Sequence, residues 1–71
     1  MSDEDRTNDR MLKWFEFAHL PDHLAAISEP FTDLARFLVQ KVAPGPERTV
    51  ALRKLLESKD AAVRATVHPR G

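Results

Sequence analysis

Apolar side chains recur along this chain in steps of three and four, not two. From Leu24 they fall at Leu24, Ile27, Phe31, Leu34, Leu38 and Val42, the spacing of one buried stripe on an α-helix. Pro30 interrupts that stretch. The apolar rhythm crosses the proline in phase, so a kinked helix, or one restarted with Ser28 as its cap, is predicted in place of a loop. Residues 43–46, Ala-Pro-Gly-Pro, end it in a tight turn, with Pro46 at the first helical position of the next element. From residue 46 to about residue 66 no further glycine or proline occurs, and Ala, Leu, Arg, Lys and Glu dominate: a second long helix.

Upstream, residues 9–20 (DRMLKWFEFAHL) are dense in aromatics and predict a short helix of two or three turns, ended by Pro21, with Asp22 starting the next. Nothing alternates with a period of two, so no sheet is predicted. The expected fold is all-α: a short aromatic helix followed by an antiparallel helical hairpin, each long helix roughly 30 Å at ~1.5 Å per residue. The hairpin domain is expected over residues 9–67, between a flexible polar N-terminus, 1–8, and a flexible tail, 68–71.

Length changes this picture in one respect. A hairpin of 71 residues without cysteine has no disulfide to staple it, and domains this small rarely stabilise themselves unaided. Trp14, Phe15, Phe17, Phe31 and Phe37 offer more bulky apolar surface than one seam can hide. Self-association into a closed, symmetric homo-oligomer is therefore expected.

Charge changes it in another. Eleven Lys and Arg balance eleven Asp and Glu, so no global field steers the chain toward a nucleic-acid polymer or an anionic membrane. Any anion site must be local. The first residues, MSDEDRTNDR, are polar and read as no signal peptide, and no apolar run approaches the ~20 residues of a membrane span. A soluble protein of a reducing, intracellular compartment is the expectation.

The second long helix carries Arg48, Arg53, Lys54, Lys59 and Arg64. On a wheel of about 100° per residue, Arg48 and Lys59 fall inside the apolar arc of Leu52, Leu55, Leu56, Ala62 and Val63. Arg53 and Arg64 share a position about 150° away from Arg48, and Lys54 also lies outside the arc. Glu57 and Asp60 stand four residues from Arg53 and Arg64, so i,i+4 pairs of ~0.2–0.5 kcal/mol each are expected there. Arg48 and Lys59 either snorkel to the edge of the apolar arc or point into a cavity between subunits where an anion neutralises them. Arg48 and Thr49 also occupy the first helical turn, where free N–H groups and the helix dipole favour phosphate.

Other chemistry is thin. His19 and His23 are four apart, a metal-ligand spacing, but Pro21 lies between them and no third ligand is obvious, so no metal is expected. No nucleophile elbow, Gly-rich phosphate loop or catalytic carboxylate pair is present; the chain reads as a binder, not an enzyme, with no cofactor. Phe17 beside His19 could form a stacking platform for a nucleobase.

The stretches WFEFAHLPDHLAAIS.PF..LA and ERTVALRKLLESKDAAVRA resemble the small phage-encoded proteins with an anti-CBASS/anti-Thoeris hairpin domain, over nearly all of residues 13–66. The resemblance implies a sponge that binds cyclic di- or trinucleotide second messengers of bacterial antiphage immunity, in the host bacterial cytoplasm, without cleaving them. It implies a compact homohexamer built as a trimer of dimers, with cyclic dinucleotides between subunits and cyclic trinucleotides near the threefold axis. Phe17 matches the aromatic that stacks on a base, and Arg64 matches a basic residue that contacts phosphate. The chain departs from the family pattern in having no tyrosine at the position of Phe17. It also has Glu29 where a basic residue is expected, and Glu29 would repel phosphate. The candidate ligand residues are thus Phe17, His19, Arg48, Thr49, Lys59 and Arg64. The competing readings are a small helical protein–protein interaction module with an aromatic docking face, and a helix-turn-helix DNA binder, against which the neutral charge counts.

Overall fold

Residues 9–69 are described by the structure, a computed structural model; the expected flexible stretch 1–8 and residues 70–71 of the tail lie outside the described residues. The chain folds as a 3₁₀ helix, Arg10–Phe15, followed by α1, Asp22–Lys41, and α2, Pro46–Val67. The two long helices pack as a hairpin, and the described residues contain no strand. The molecule measures 44 × 22 × 15 Å, a single layer of helices with the aromatic segment laid against them.

α1 starts at Asp22 behind Pro21 and runs unbroken through Pro30. The proline deprives the Ala26 carbonyl of its usual N–H donor. Both residues are exposed, so water can serve that carbonyl. The helix ends at Lys41, where the Val42 N–H bonds the Leu38 carbonyl at 2.8 Å. α2 begins with Pro46 at its first position, as its fixed φ favours, and ends where the His68 N–H bonds the Arg64 carbonyl.

The buried face of α1 differs from the predicted stripe. Ser28, Thr32, Ala35 and Val39 turn inward, while Leu34 and Val42 are exposed and Leu24, Ile27, Phe31 and Leu38 are half-buried. The helix is rotated so that small and β-branched side chains lie beneath the aromatic segment. Phe15 is wholly buried there among Ala35, Val39 and Leu52, with Met11, Leu12, Phe31, Leu38, Leu55 and Leu56 packed around them. α1 meets the ring with Ala35 and Val39, and the larger Phe31 and Leu38 pack at the edge of the cluster.

The aromatic segment is also shorter than expected. Instead of a helix ended by Pro21, six residues form a two-turn 3₁₀ helix, and Glu16 leaves it with extended backbone. Its end is held from outside: the Thr32 hydroxyl donates to the Phe15 carbonyl and Lys59 Nζ to the Trp14 carbonyl at 2.8 Å. Those carbonyls are the acceptors that a continuing α-helix would need. At its start, Asp9 Oδ1 accepts from the Met11 N–H at 3.0 Å, a side-chain cap.

Candidate functional site

Both cations that the helical wheel places on the apolar arc of α2 do point inward, and both find partners within the chain. Arg48 is only 4% exposed. Its Nη1 donates to the carbonyls of Val39 (3.2 Å) and Val42 (3.0 Å), at the C-terminal end of α1. Those carbonyls lack intrahelical donors and carry the negative end of the helix dipole, which suits a guanidinium. Nη2 meets Asp9 Oδ2 at 3.0 Å. One arginine therefore ties the cap of the 3₁₀ helix to the end of α1 and the start of α2.

Lys59, 9% exposed, performs the same service at the other end of the segment. Besides the Trp14 carbonyl, its Nζ lies 3.1 Å from Asp60 Oδ1 and 5.9 Å from the centroid of the Phe15 ring. Cation–π attraction adds to a salt bridge that is itself half in solvent.

Where the aromatic segment crosses the far end of the hairpin, a cleft of about 460 Å³ opens. Trp14, His19, Ser28, Lys59, Val63 and Arg64 line it, together with Lys13 and the carboxylates of Glu16 and Asp60. The indole is 57% exposed and carries Lys13 Nζ at 5.1 Å from its centroid. The floor includes Ser28, wholly buried, whose hydroxyl has no hydrogen-bond partner among the described residues. A buried hydroxyl left so costs on the order of 1–3 kcal/mol. Around the Glu16–His19 corner a second notch, about 280 Å³, brings Phe17 and His19 beside Arg36.

The six residues singled out in the sequence thus divide by position. His19, Lys59 and Arg64 share the cleft, and Phe17 joins them through His19. Arg48 and Thr49 lie at the opposite end of α2, about 24 Å along its axis from Arg64. Thr49 is exposed and donates its hydroxyl to the Gly45 carbonyl at 3.2 Å.

The expected ion pairs are rearranged. Glu57 pairs with Lys54 at 3.6 Å and Asp60 with Lys59, so the pairs 53–57 and 60–64 do not form and Arg64 has no ion-pair partner among the described residues. The competition is short-range: Asp60 reaches a buried ammonium one residue away before an exposed guanidinium one turn on.

Sequence reasoning missed Asp9, Trp14, Ser28 and Arg36 as participants. An aspartate immediately before an apolar cluster was a readable cap signal for Asp9. For Ser28 and Arg36 no local pattern existed, because their roles arise only where the aromatic segment crosses α1. Among the described residues no group of three His, Asp or Glu is placed to hold a metal ion, and no helix is long and apolar enough to cross a membrane. Comparison with protein-family models, curated proteins and solved structures found no match.

Proposed function

We propose that the chain is a phage-encoded, non-catalytic sponge that sequesters cyclic di- or trinucleotide second messengers of bacterial antiphage immunity in the host cytoplasm, as a homohexamer built from three dimers. The observation that carries this reading is the cleft beside α2. Three cations, Lys13, Lys59 and Arg64, against two carboxylates, Glu16 and Asp60, surround an exposed indole there in a chain of zero net charge. Phosphate asks for guanidinium and ammonium donors, and a nucleobase asks for an aromatic face. Arg64 is the natural phosphate contact, being exposed and not engaged by a carboxylate of the described residues. Phe17, with Arg36 beside it, offers a second stacking surface. Arg48 supports the site indirectly, by holding the start of the segment that carries Trp14.

Titration calorimetry with a panel of cyclic di- and trinucleotides and signalling ADP-ribose derivatives tests the proposal. One class is expected to bind, to raise the melting temperature by mass action, and to be recovered intact after denaturation. Arg64→Ala is expected to weaken that ligand about tenfold or more, the loss of one charge-assisted hydrogen bond, with the ligand-free melting temperature unchanged. Full affinity in Arg64→Ala would remove Arg64 from the site. Indifference of the parent to the whole panel would end the proposal.

A further inference from the structure

The outer face of α1 leaves large apolar side chains open, and the charges beside them are ordered in a particular way. Pro30, Leu34 and Phe37 follow one another at helical spacing, and Leu34 and Phe37 are 46% and 53% exposed. Asp33 stands four residues before Phe37 and Lys41 four residues after it, both exposed, and neither has an ion-pair partner among the described residues. Four residues on an α-helix amount to about 6 Å along the axis and about 40° around it, so the two charges flank the phenyl ring on opposite sides. Turning the helix end for end about Phe37 exchanges the places of Asp33 and Lys41.

We propose that this face pairs with the same face of a second copy, the two α1 helices antiparallel about a twofold axis at Phe37, with Asp33 of each copy opposite Lys41 of the other. Phe37 and Leu34 fill the seam between them. The charge order decides the geometry. A parallel pairing would set aspartate on aspartate and lysine on lysine, whereas the antiparallel one makes two ion pairs and leaves the seam neutral. It also decides the occupant, since a face that complements itself under reversal is what an isologous interface requires. The need for a partner is visible in the core, where among the described residues Phe15, Ala35, Val39 and Leu52 are the wholly buried apolar ones of a layer 15 Å thick. The inference rests on the self-association in the proposed function and is independent of which ligand binds.

Sedimentation equilibrium of the full 71-residue chain, with helicity followed by circular dichroism, tests it. The parent is expected to be larger than its 8.1 kDa monomer. Phe37→Glu is expected to weaken the twofold step about a hundredfold while keeping its helicity, by placing two carboxylates in the seam. Asp33→Lys and Lys41→Asp each act twice through the axis and should each weaken it about tenfold, more at low salt. The double variant restores both pairs in reverse order and should return to within about threefold of the parent. A monomeric parent, a Phe37→Glu variant of parental mass, or a double variant no tighter than the single ones would each overturn this face. Association through another face together with cyclic-nucleotide binding would sink this inference alone. An intact Phe37 dimer blind to every cyclic nucleotide would sink the proposed ligand alone.

Discussion

Phe15→Ala is expected to abolish cooperative unfolding of the chain near room temperature. Its ring is fully buried and sits where the 3₁₀ helix, α1 and α2 meet, against Ala35, Val39 and Leu52. Replacing a buried phenylalanine by alanine costs about 3–5 kcal/mol, through lost transfer free energy and the cavity left behind. A domain of this length holds only about 4–11 kcal/mol in total. The cavity cannot refill cheaply, because Ala35 and Val39, which face it from α1, are short and their backbone is helical. Urea titrations followed by circular dichroism, at one protomer concentration so that association does not shift the midpoint, measure the effect. Phe15→Leu should keep a cooperative transition at a lower midpoint. An alanine variant within about 1 kcal/mol of the parent would mean that the aromatic segment is not docked as described.

Arg48→Ala is expected to cost about 3 kcal/mol in the absence of any ligand. The substitution removes hydrogen bonds to two carbonyls at the end of α1 and leaves the mostly buried Asp9 carboxylate without its counter-charge. Breaking one side of a buried pair is the costly case, because the remaining group keeps its desolvation without compensation. Asp9→Ala should cost less by itself, about 1–2 kcal/mol, since it removes one cap and one partner while Arg48 retains its carbonyls. A double-mutant cycle should therefore show coupling of about 1 kcal/mol or more between residues 39 positions apart in the chain. The experiment also separates two roles for Arg48. An arginine held only for phosphate would leave ligand-free stability unchanged on removal, whereas the clasp predicts an earlier unfolding midpoint with no ligand present.

The sequence offered Arg48 two places, the edge of the apolar arc or a cavity between subunits with an anionic ligand; the structure gives it a third, buried against Asp9 and two carbonyls of its own chain. Helical phase is a local property, so the wheel could place Arg48 and Lys59 on the inner arc of α2 from spacing alone. Nothing local says that the inner arc meets Asp9 and the Trp14 carbonyl, which belong to a segment some forty residues upstream. Glu57 and Asp60 show the same limit on a smaller scale. Each had two cations within reach along one helix, and the choice went to the nearer ammonium, which for Asp60 is held in place by a carbonyl from elsewhere.

For the candidate site, His19, Lys59 and Arg64 were recognisable as cations or rings in promising places, and the fold assembles them into one cleft. Trp14 was visible as an aromatic but read as core or interface, because exposure cannot be seen in a cluster of adjacent rings. Its neighbour Phe15 took the buried position, and one residue of rotation separates the two outcomes.

Legible from the chain alone were two long helices, their punctuation by Pro21, the Ala-Pro-Gly-Pro turn and Pro46, and the inward sector of α2. Each follows from propensity, proline geometry or a period of 3.6, which act within a turn or two of backbone. Left to the packed molecule were the inward sector of α1, the early end of the aromatic segment and the partners of every buried charge. The leucines and phenylalanines of α1 lie within one arc of about 140°, but which edge of that arc turns toward the core is set only by a neighbour's shape. Here the docked aromatic segment takes Ser28, Thr32, Ala35 and Val39 inward and leaves Leu34 and Phe37 outward.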